Sequence, residues 1–510
     1  MSDNFLQSLQ QSFTNNQEKV CIVDLIDNPS GPHRALTYSQ VEQSSLGLAA
    51  EILNRFHGGP RRPVIGILAR NSSEWVVADL ACLLSGSTSL PLPLAFSRAQ
   101  AEHLATRCDG FLVDAAGART LKEKWGLDLD ERSVLRLGEA PQASVLDWPT
   151  EQRDDWTCKV IHTSGTTNRP KGVQLKISAI GRVLNSLREG MPRDAHHNYL
   201  SVVPLSLLLE QITAVYMPIL CGGTVHFLAE STPLLGEPEA TADKIIRWLL
   251  AVQPTAMTVP PMMITRFNEI IDADEPIACE LYKYLSTRVH ITCGGASVST
   301  DTMRCLASRD IHVFQGYGLS ENASVVSMNT SQHQRIGSVG KPLPHVSVRV
   351  GADATIEINS PSLFDGYSGD DPSACSFTAD GWLDTGDLGA LDEEGYLYVH
   401  GRKKNVICLP NGRNVCPEQV EVELRRHEGV QDAAVFLHDE HGVVALIVSE
   451  GDLRQASLSA WCKEKFSDIE RPSAFWIMPL TDPAISELYT VTGRPKRAEI
   501  ASAYARYLAV

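Results

Sequence analysis

The stretch CKVIHTSGTTNRPKG, from Cys158 to Gly172, is the most informative part of this sequence. It begins as an apolar strand, Cys158 to Thr163, and runs into a loop of glycine and hydroxyl residues that ends at Lys171 and Gly172. Such residues let backbone N–H groups approach an anion closely, and the lysine adds positive charge. The pattern predicts a phosphate-binding loop rather than a plain polar turn. It is not a Walker loop, because its second glycine follows the lysine.

On both sides of this loop, apolar strand-like runs alternate with helical patterns. VIGIL (Val64 to Leu68) precedes a helix-like segment from Ser73 to Ser85, and TAMTV (Thr255 to Val259) precedes another near Met262 to Ile271. VHITCGG and IHVFQGYG repeat the strand-then-glycine pattern around a further helix. The alternation predicts an α/β fold with mostly parallel, helix-covered sheets. Ligands in such folds bind at the carboxyl ends of the strands.

The pattern changes from Ala354 onward, where short strands and turns such as ATIEI and GYLYVHG predominate. A helix, PEQVEVELRRH, then precedes two strand-like runs, AAVFLH and VVALIVSE, and a second helix near Leu458 to Lys465. We therefore expect a small α+β domain at the C-terminal end, joined to the larger part near Gly401 to Lys404.

Composition excludes several classes of protein. A chain of 510 residues is long enough for two or more domains. Its net charge of −16 argues against nonspecific nucleic-acid binding, which needs a basic face. No apolar run reaches the roughly 18 residues of a membrane span, and the N-terminal segment does not resemble a signal peptide. The 12 scattered cysteines are typical of reduced thiols, so we expect a cytoplasmic protein.

Five motifs in the same order resemble those of the acyl-adenylate-forming (AMP-binding) superfamily, which includes acyl-CoA synthetases, luciferases and peptide-synthetase adenylation domains. The motifs are TSGTTNRPKG, CGGASVS (293–299), QGYGLSENA (315–323), GWLDTGDLG (381–389) and GRKKNVICLPNGRNVCPEQVE (401–421). Asn168 replaces the family's usual glycine, and asparagine tolerates the left-handed backbone that glycine adopts. Similarity runs from residue 36 to about 497.

The resemblance implies an ATP-dependent enzyme that converts a carboxylic acid into an acyl-AMP. It implies an ATP- and acid-binding domain, residues 1–402, and a small lid domain, residues 403–510, that rotates about Lys404. It also implies a set of nucleotide-binding residues: Thr163, Ser164, Gly165, Thr166, Thr167, Lys171, Gly294, Gly295, Ala296, Gln315, Gly316, Tyr317, Gly318, Ser320, Asp387 and Arg402.

Three of these residues have specific expected roles. Glu321, with Thr163, is the predicted ligand of Mg²⁺, which prefers hard oxygen donors; a solvated acid at a helix start is the structural alternative. Tyr317 is expected to line the adenine, unless it is purely structural. Asp387 is expected to accept hydrogen bonds from both ribose hydroxyls, although a lone aspartate after glycine is usually a turn former.

The last motif, YTVTGRPKRAEI, departs from the family pattern. The family has a lysine directly after T-G that contacts the carboxylate and the α-phosphate, whereas this chain has Arg494 there and Lys496 two residues later. Either side chain could supply the charge, or adenylation could be impaired. An arginine fork and a compact ammonium are not equivalent.

The segment PLSLLLEQ (204–211) falls where the family places its acid pocket. Leu208, Leu209 and Glu210 are the predicted pocket residues, although the leucines could equally be core. Because no aspartate is present to pair with an α-amino group, an apolar aliphatic or aryl acid is favoured over an amino acid. Gly412 is expected to approach the acceptor channel.

The acceptor is expected to arrive in trans. Coenzyme A is the first prediction, and an acyl-carrier protein or an amine is the alternative. A nucleotide-binding homologue that has lost its chemistry is the third hypothesis, supported only by Arg494.

Overall fold

A computed structural model describes residues 4–27, 33–59, 61–138, 146–163, 171–192, 194–237, 239–273, 275–287, 289–296, 298–368, 377–409, 413–449, 451, 453–490 and 493–508. The side chains of Thr163 and Ser486 are outside this description. The predicted loop residues Ser164, Gly165, Thr166 and Thr167, and the predicted channel residue Gly412, also lie outside the described residues.

The strands of the described residues are β1 (Val20–Asp24), β2 (Arg34–Thr37), β3 (Val64–Leu68), β4 (Thr88–Pro91), β5 (Gly110–Val113), β6 (Val134–Arg136), β7 (Thr157–Thr163), β8 (Lys171–Lys176), β9 (Asn198–Ser201), β10 (Thr224–Phe227), β11 (Ala256–Val259), β12 (His290–Cys293), β13 (Val313–Tyr317), β14 (Ser327–Met328), β15 (Lys341–Pro342), β16 (Ser347–Val350), β17 (Thr355–Asn359), β18 (Tyr367–Ser368), β19 (Leu383–Leu391), β20 (Leu397–Arg402), β21 (Ile407–Cys408), β22 (Asn414–Val415), β23 (Val430–His438), β24 (Gly442–Ser449) and β25 (Ala474–Pro479).

The α-helices are α1 (Phe5–Asn15), α2 (Tyr38–Phe56), α3 (Ser73–Leu84), α4 (Arg98–Ala105), α5 (Ala115–Arg119), α6 (Ile177–Gly190), α7 (Leu208–Glu210), α8 (Met217–Cys221), α9 (Ala242–Val252), α10 (Pro261–Asp272), α11 (Ala278–Thr287), α12 (Thr300–Ala307), α13 (Pro417–Leu424), α14 (Gln455–Lys465), α15 (Ile485–Leu488) and α16 (Arg497–Leu508). Short 3₁₀ turns cover Glu131–Ser133, Ser320–Asn322 and Lys403–Asn405, and π-helical turns cover Thr120–Trp125 and Gln211–Tyr216.

Two large sheets form the N-terminal domain. One has the strand order β15-β14-β13-β12-β11-β9-β10-β1-β2, and the other has the order β18-β8-β7-β4-β3-β5-β6. Their central pairs are parallel, and antiparallel strands extend the edges. Central strands such as β11 are buried along their whole length, because helices cover both faces of a parallel sheet. The predicted α/β class and two-domain organisation are confirmed.

A separate antiparallel sheet, ordered β16-β17-β19-β20, follows in the chain, and its last strand ends at Arg402. The pairing of β19 with β20 sets Asp387 directly opposite Arg402. The two strands therefore bring together Asp387 and Arg402, which lie 15 positions apart in the chain.

The C-terminal domain is built on the three-stranded sheet β23-β24-β25. Successive buried residues of its strands belong alternately to two hydrophobic clusters, one on each face of the sheet, as expected when both faces are covered. Ala433, Val435, Ala445 and Ile447 pack with α13 and α14, whereas Ala434, Phe436, Val444 and Leu446 pack with α16. The predicted helix at 417–427 ends at Leu424, where the chain continues as a turn.

No helix among the described residues is long and apolar enough to cross a membrane.

Candidate functional site

The predicted phosphate loop joins two antiparallel strands. Strand β7 ends at Thr163 and β8 begins at Lys171, and these two residues are cross-strand partners. The ammonium group of Lys171 lies 5.2 Å from the centre of the Tyr367 ring. This hairpin geometry fixes both ends of the loop beside the edge strand β18, which pairs with β8.

Glu321 lies on the 3₁₀ turn Ser320–Asn322, which Gly318 and Leu319 separate from the end of strand β13. The turn is held by a hydrogen bond from Phe364 N to Glu321 O of 2.8 Å, and it leads into Ala323 and Ser324, whose φ values are 50° and 101°. Residues other than glycine adopt such angles at a cost that the surrounding structure must offset. The Glu321 carboxylate accepts a 2.6 Å hydrogen bond from Tyr367 Oη. One carboxylate oxygen thereby has a fixed position at the cleft.

Gly318 is required by the same turn. A Cβ atom at this position would lie 1.7 Å from the carbonyl oxygen of Ser324, which is backbone and cannot rotate away. Only glycine permits this close approach of two chain segments.

The ribose-binding candidate Asp387 is buried, with 5% of its surface exposed, and both of its oxygens have partners. Oδ1 lies 2.6 Å from Arg402 Nε, and Oδ2 accepts a 2.6 Å hydrogen bond from Tyr317 Oη. Burial raises the pKa of the Asp387 carboxyl, and Arg402 and Tyr317 oppose that rise. Burial and the neighbouring Asp387 raise the pKa of Tyr317 well above its usual value, so its hydroxyl remains a donor.

The glycine turn after strand β12 contacts the small domain. Gly295 has φ of +87°, and its carbonyl oxygen accepts a 3.1 Å hydrogen bond from Arg494 Nη2. The side chain of Leu209 borders the same turn. Its Cδ2 lies 3.8 Å from the place that a Cβ atom would occupy at Gly294. Ala296 is exposed beside them.

Cations gather around this cleft even though the whole chain is acidic. Burial and then Arg402 lower the pKa of Arg494, whereas Asp387, Tyr317 and Glu321 oppose that fall. Desolvation, followed by Arg402 and Arg494, lowers the pKa of Lys404, and Lys171 adds to this effect. Like charges that cluster repel one another, but together these cations create a strong positive potential that attracts an anion.

The structure brings most of the predicted residues together and separates a few. Tyr317, Glu321, Asp387, Arg402, Lys404, Arg494 and Lys171 share one neighbourhood. Gln315 and Gly316 lie on β13 beneath it, and Ser320 opens the turn that carries Glu321.

Three predicted residues point elsewhere. Lys496 Nζ donates to Glu487 O at 3.0 Å, within the small domain. Leu208 packs in the core. Glu210 is fully buried, where its Oε1 accepts from Ser201 Oγ at 2.6 Å and Val202 N at 3.1 Å. Burial raises the pKa of Glu210 to about 8.

Sequence reasoning missed Tyr367, which bonds to Glu321 and lies under Lys171. No local pattern singles it out, since it follows the predicted loop by almost two hundred residues and meets it only through the pairing of β18 with β8.

The large α/β domain and the smaller C-terminal domain form a two-domain fold, and Arg494 of the small domain contacts the Gly295 turn of the large one. The chain belongs to the AMP-binding enzyme family: that family's model matches residues 9–367, and the model of its C-terminal domain matches residues 419–483. The predicted family and the predicted class, an AMP-forming acid ligase of the acyl-CoA synthetase type, are confirmed.

Several curated relatives are CoA ligases. A 2-succinylbenzoate–CoA ligase of Bacillus cereus strain Q1 is 29% identical over 466 residues, which cover 86% of this chain and 88% of the relative. A 2-succinylbenzoate–CoA ligase of Bacillus licheniformis is 25% identical, with 87% and 91% covered. A long-chain-fatty-acid–CoA ligase of Gallus gallus is 24% identical over 81% of this chain, which spans 62% of that longer relative.

Solved structures share the fold. An anthranilate CoA ligase in complex with anthranoyl-AMP gives a TM-score of 0.82 at 18% identity, with 99% of this chain and 98% of the other covered. The o-succinylbenzoate CoA synthetase of Bacillus subtilis, in complex with its acyl-adenylate intermediate, gives a TM-score of 0.77 at 20% identity, with 97% of each chain covered. The same synthetase has also been solved with ATP and magnesium, with a TM-score of 0.76 at 21% identity and coverage of 96% and 98%.

Proposed function

We propose that this enzyme activates an apolar carboxylic acid with ATP and then transfers the acyl group to coenzyme A. In the first step a carboxylate oxygen attacks the α-phosphorus of ATP, the bond to the β-phosphate breaks, and pyrophosphate leaves. In the second step the CoA thiolate attacks the acyl carbon, the carbon–oxygen bond to the phosphate breaks, and AMP leaves.

Two arginines carry this proposal: Arg402, whose Nε lies 2.6 Å from Asp387 Oδ1, and Arg494, whose Nη2 donates to Gly295 O at 3.1 Å. Adenylation brings a carboxylate against a triphosphate, so cations must offset repulsion between negative oxygens. Asp387 has a different role, which is to bind the ribose. Its buried carboxylate is held by Arg402 and Tyr317 and is oriented to accept hydrogen bonds from the ribose hydroxyls.

Glu321 would hold Mg²⁺. A magnesium–nucleotide site commonly takes one or two protein carboxylates, with phosphates and waters as its other ligands. The half-buried Glu321 is suited to be one of these carboxylates, because Tyr367 fixes one of its oxygens. When bound, the ion would neutralise charge on the phosphates and on the leaving pyrophosphate.

An apolar acid is supported by the residues beside the glycine turn. Leu209 borders Gly294, and the acid in the same segment, Glu210, is buried and bonded to Ser201 and Val202. With its pKa raised to about 8, Glu210 is neutral at pH 7. An ammonium group on the substrate would therefore gain no counter-charge from this segment.

Coenzyme A is supported as the acceptor by the CoA ligases among the relatives, several of which match this chain over nearly their whole length. A carrier protein or an amine has no such support. We further propose that the domain boundary lies near residue 402 and that the small domain rotates about Lys404 between the two steps, because the steps need different groups around one acyl phosphate.

A panel of aliphatic, aryl and amino acids tests this function. With ATP and Mg²⁺, an apolar acid should release pyrophosphate, yield a hydroxamate when hydroxylamine is added, and yield a thioester when CoA is added. The Asp387→Asn variant should lose pyrophosphate release. A hydroxamate without any thioester would eliminate the CoA assignment. ATP binding without pyrophosphate release from any acid would favour an impaired nucleotide-binding homologue.

A further inference from the structure

We propose that Arg494 is the cation that the small domain contributes to adenylation, and that Lys496 is a structural residue that holds the turn carrying Arg494. This inference rests on the proposed function and concerns the last motif, where Arg494 stands in place of the family's lysine.

Arg494 reaches across the domain boundary into the cleft. Its Nη2 donates to Gly295 O at 3.1 Å, in the turn that follows β12, and the carboxylates of Asp387 and Glu321 act to raise its pKa. A guanidinium carries five N–H donors, so the bond to Gly295 leaves others free to meet a carboxylate and an α-phosphate.

Lys496 points the other way. Its ammonium donates to Glu487 O at 3.0 Å, and its backbone N donates to Leu488 O at 2.8 Å. Both partners belong to α15 in the small domain. Lys496 thus ties the segment after the turn to the helix before it.

The backbone register of this turn is fixed on both sides. Before Arg494, Thr490 N donates to Arg494 O and Gly493 N donates to Thr490 O, both at 2.8 Å. After Lys496, Arg497 Nη2 lies 2.6 Å from Glu421 Oε1, and Arg497 Nε donates to Val435 O at 3.1 Å. A two-residue slip that brought Lys496 to the cleft would break all of these contacts.

Such a slip would be energetically costly because Glu421, the partner of Arg497, is buried. Glu421 is 2% exposed, and its Oε1 also accepts from Val435 N at 2.7 Å. Removing Arg497 would leave a buried carboxyl without its cation, which is far more unfavourable than losing an exposed ion pair.

Three variants test the assignment: Arg494→Ala, Arg494→Lys and Lys496→Ala. For R494A we expect a loss of about 10²- to 10³-fold in the rate of pyrophosphate release, as for removal of one group that stabilises developing charge. R494K should recover at least about tenfold of that loss, because it restores the charge but not the fork. K496A should stay within about threefold of the wild-type rate, with a lower Tm, because it loses a hydrogen bond rather than a charge in the cleft.

A binding measurement gives a second readout. The probe is a non-hydrolysable acyl-sulfamoyl-adenosine made with the most active acid of the panel, or with benzoate if none is active, and its Kd is measured by calorimetry. R494A should weaken binding by at least about tenfold, as expected for a lost charge-assisted contact, whereas K496A should change the Kd by no more than about threefold.

The inference is overturned if K496A loses adenylation while R494A keeps it, or if both variants are near wild type. The proposed function fails separately, if wild-type protein yields no hydroxamate with any acid. In that event the two calorimetric values still decide whether Arg494 or Lys496 faces the ligand.

Discussion

The hydroxyl of Tyr317 donates a 2.6 Å hydrogen bond to Asp387, although the two residues lie on different sheets and 70 positions apart. The side chain expected at the adenine therefore also orients the side chain expected at the ribose. Loss of the hydroxyl should affect nucleotide binding even if the ring remains in place.

Tyr317→Phe should raise the Kd of ATP by about tenfold, which corresponds to the lower end of the roughly 1.5–3 kcal/mol that a hydrogen bond to a charged group is worth, because Arg402 still holds Asp387. Asp387→Asn should raise the Kd further. Isothermal titration with ATP and Mg²⁺ measures both. Tyr284→Phe is the matched control, because the Tyr284 hydroxyl bonds to Pro254 O in the core, away from the cleft. Equal Kd values for Y317F and Y284F would contradict the coupling.

Glu321→Gln should increase the Mg²⁺ concentration needed for half-maximal pyrophosphate release by at least about tenfold, because an amide is a weaker ligand for a hard cation than a carboxylate. Tyr367→Phe should give a smaller increase, since it frees Glu321 without removing its charge. Glu394→Gln serves as control, because Glu394 pairs with Arg335 on the surface. A Mg²⁺ titration that is the same for E321Q and E394Q would rule out the proposed ligand.

A second arginine also links the two domains. Arg426 of the small domain forms an ion pair with Asp301 on α12, the helix that follows the Gly295 turn in the chain. Exposed pairs contribute at most about 1 kcal/mol, so Arg426→Ala should lower the adenylation rate by no more than about fivefold, by favouring other orientations of the small domain. The effect should shrink in high salt.

Charge reversal provides the check on this pair. Asp301→Lys alone should lower the rate more than R426A, and D301K combined with Arg426→Asp should recover part of the loss. Arg309→Ala is the control, because its pair with Asp272 lies within the large domain. If R309A and R426A slow adenylation equally, the pair has no special role in docking the domains.

Stability should fall with rising pH because of Glu210. Its pKa is raised to about 8 by burial from an ordinary value of 4.5, so between these values the folded state holds a proton that the unfolded state has released. Stability therefore declines as pH rises from about 5 to about 8, by up to about 1.4 kcal/mol per pH unit for one such group. Glu421, whose pKa burial raises to about 7, acts in the same direction.

Glu210→Gln should remove this share of the pH dependence, because the amide is neutral throughout. Denaturant unfolding at pH 5, 6, 7 and 8 should show E210Q close to wild type at pH 5 and increasingly more stable above it. A constant difference across the series would show that Glu210 does not titrate in this range.

The strands and helices near the site were largely predictable. Helix α10 occupies Pro261–Asp272 where the pattern predicted Met262 to Ile271, and β3 coincides with VIGIL. The apolar residues of α10 recur at helical spacing after Pro260, and VIGIL is a continuous apolar run after Pro63. The hairpin formed by β7 and β8 was not predicted, because the direction in which a strand pairs depends on its neighbours in the sheet rather than on its own residues.

The sequence by itself determined the chemical groups of the site, since the motifs carry Lys171, Glu321, Asp387 and Arg402 in a fixed order. Tertiary structure decided which side chains meet. It directs Arg494 to Gly295 and Lys496 to Glu487, and it sets Leu209 rather than Leu208 beside the glycine turn. A side chain's direction follows from packing between segments far apart in the chain, as the anchoring of Arg497 by Glu421 illustrates, and a local pattern contains no record of those contacts.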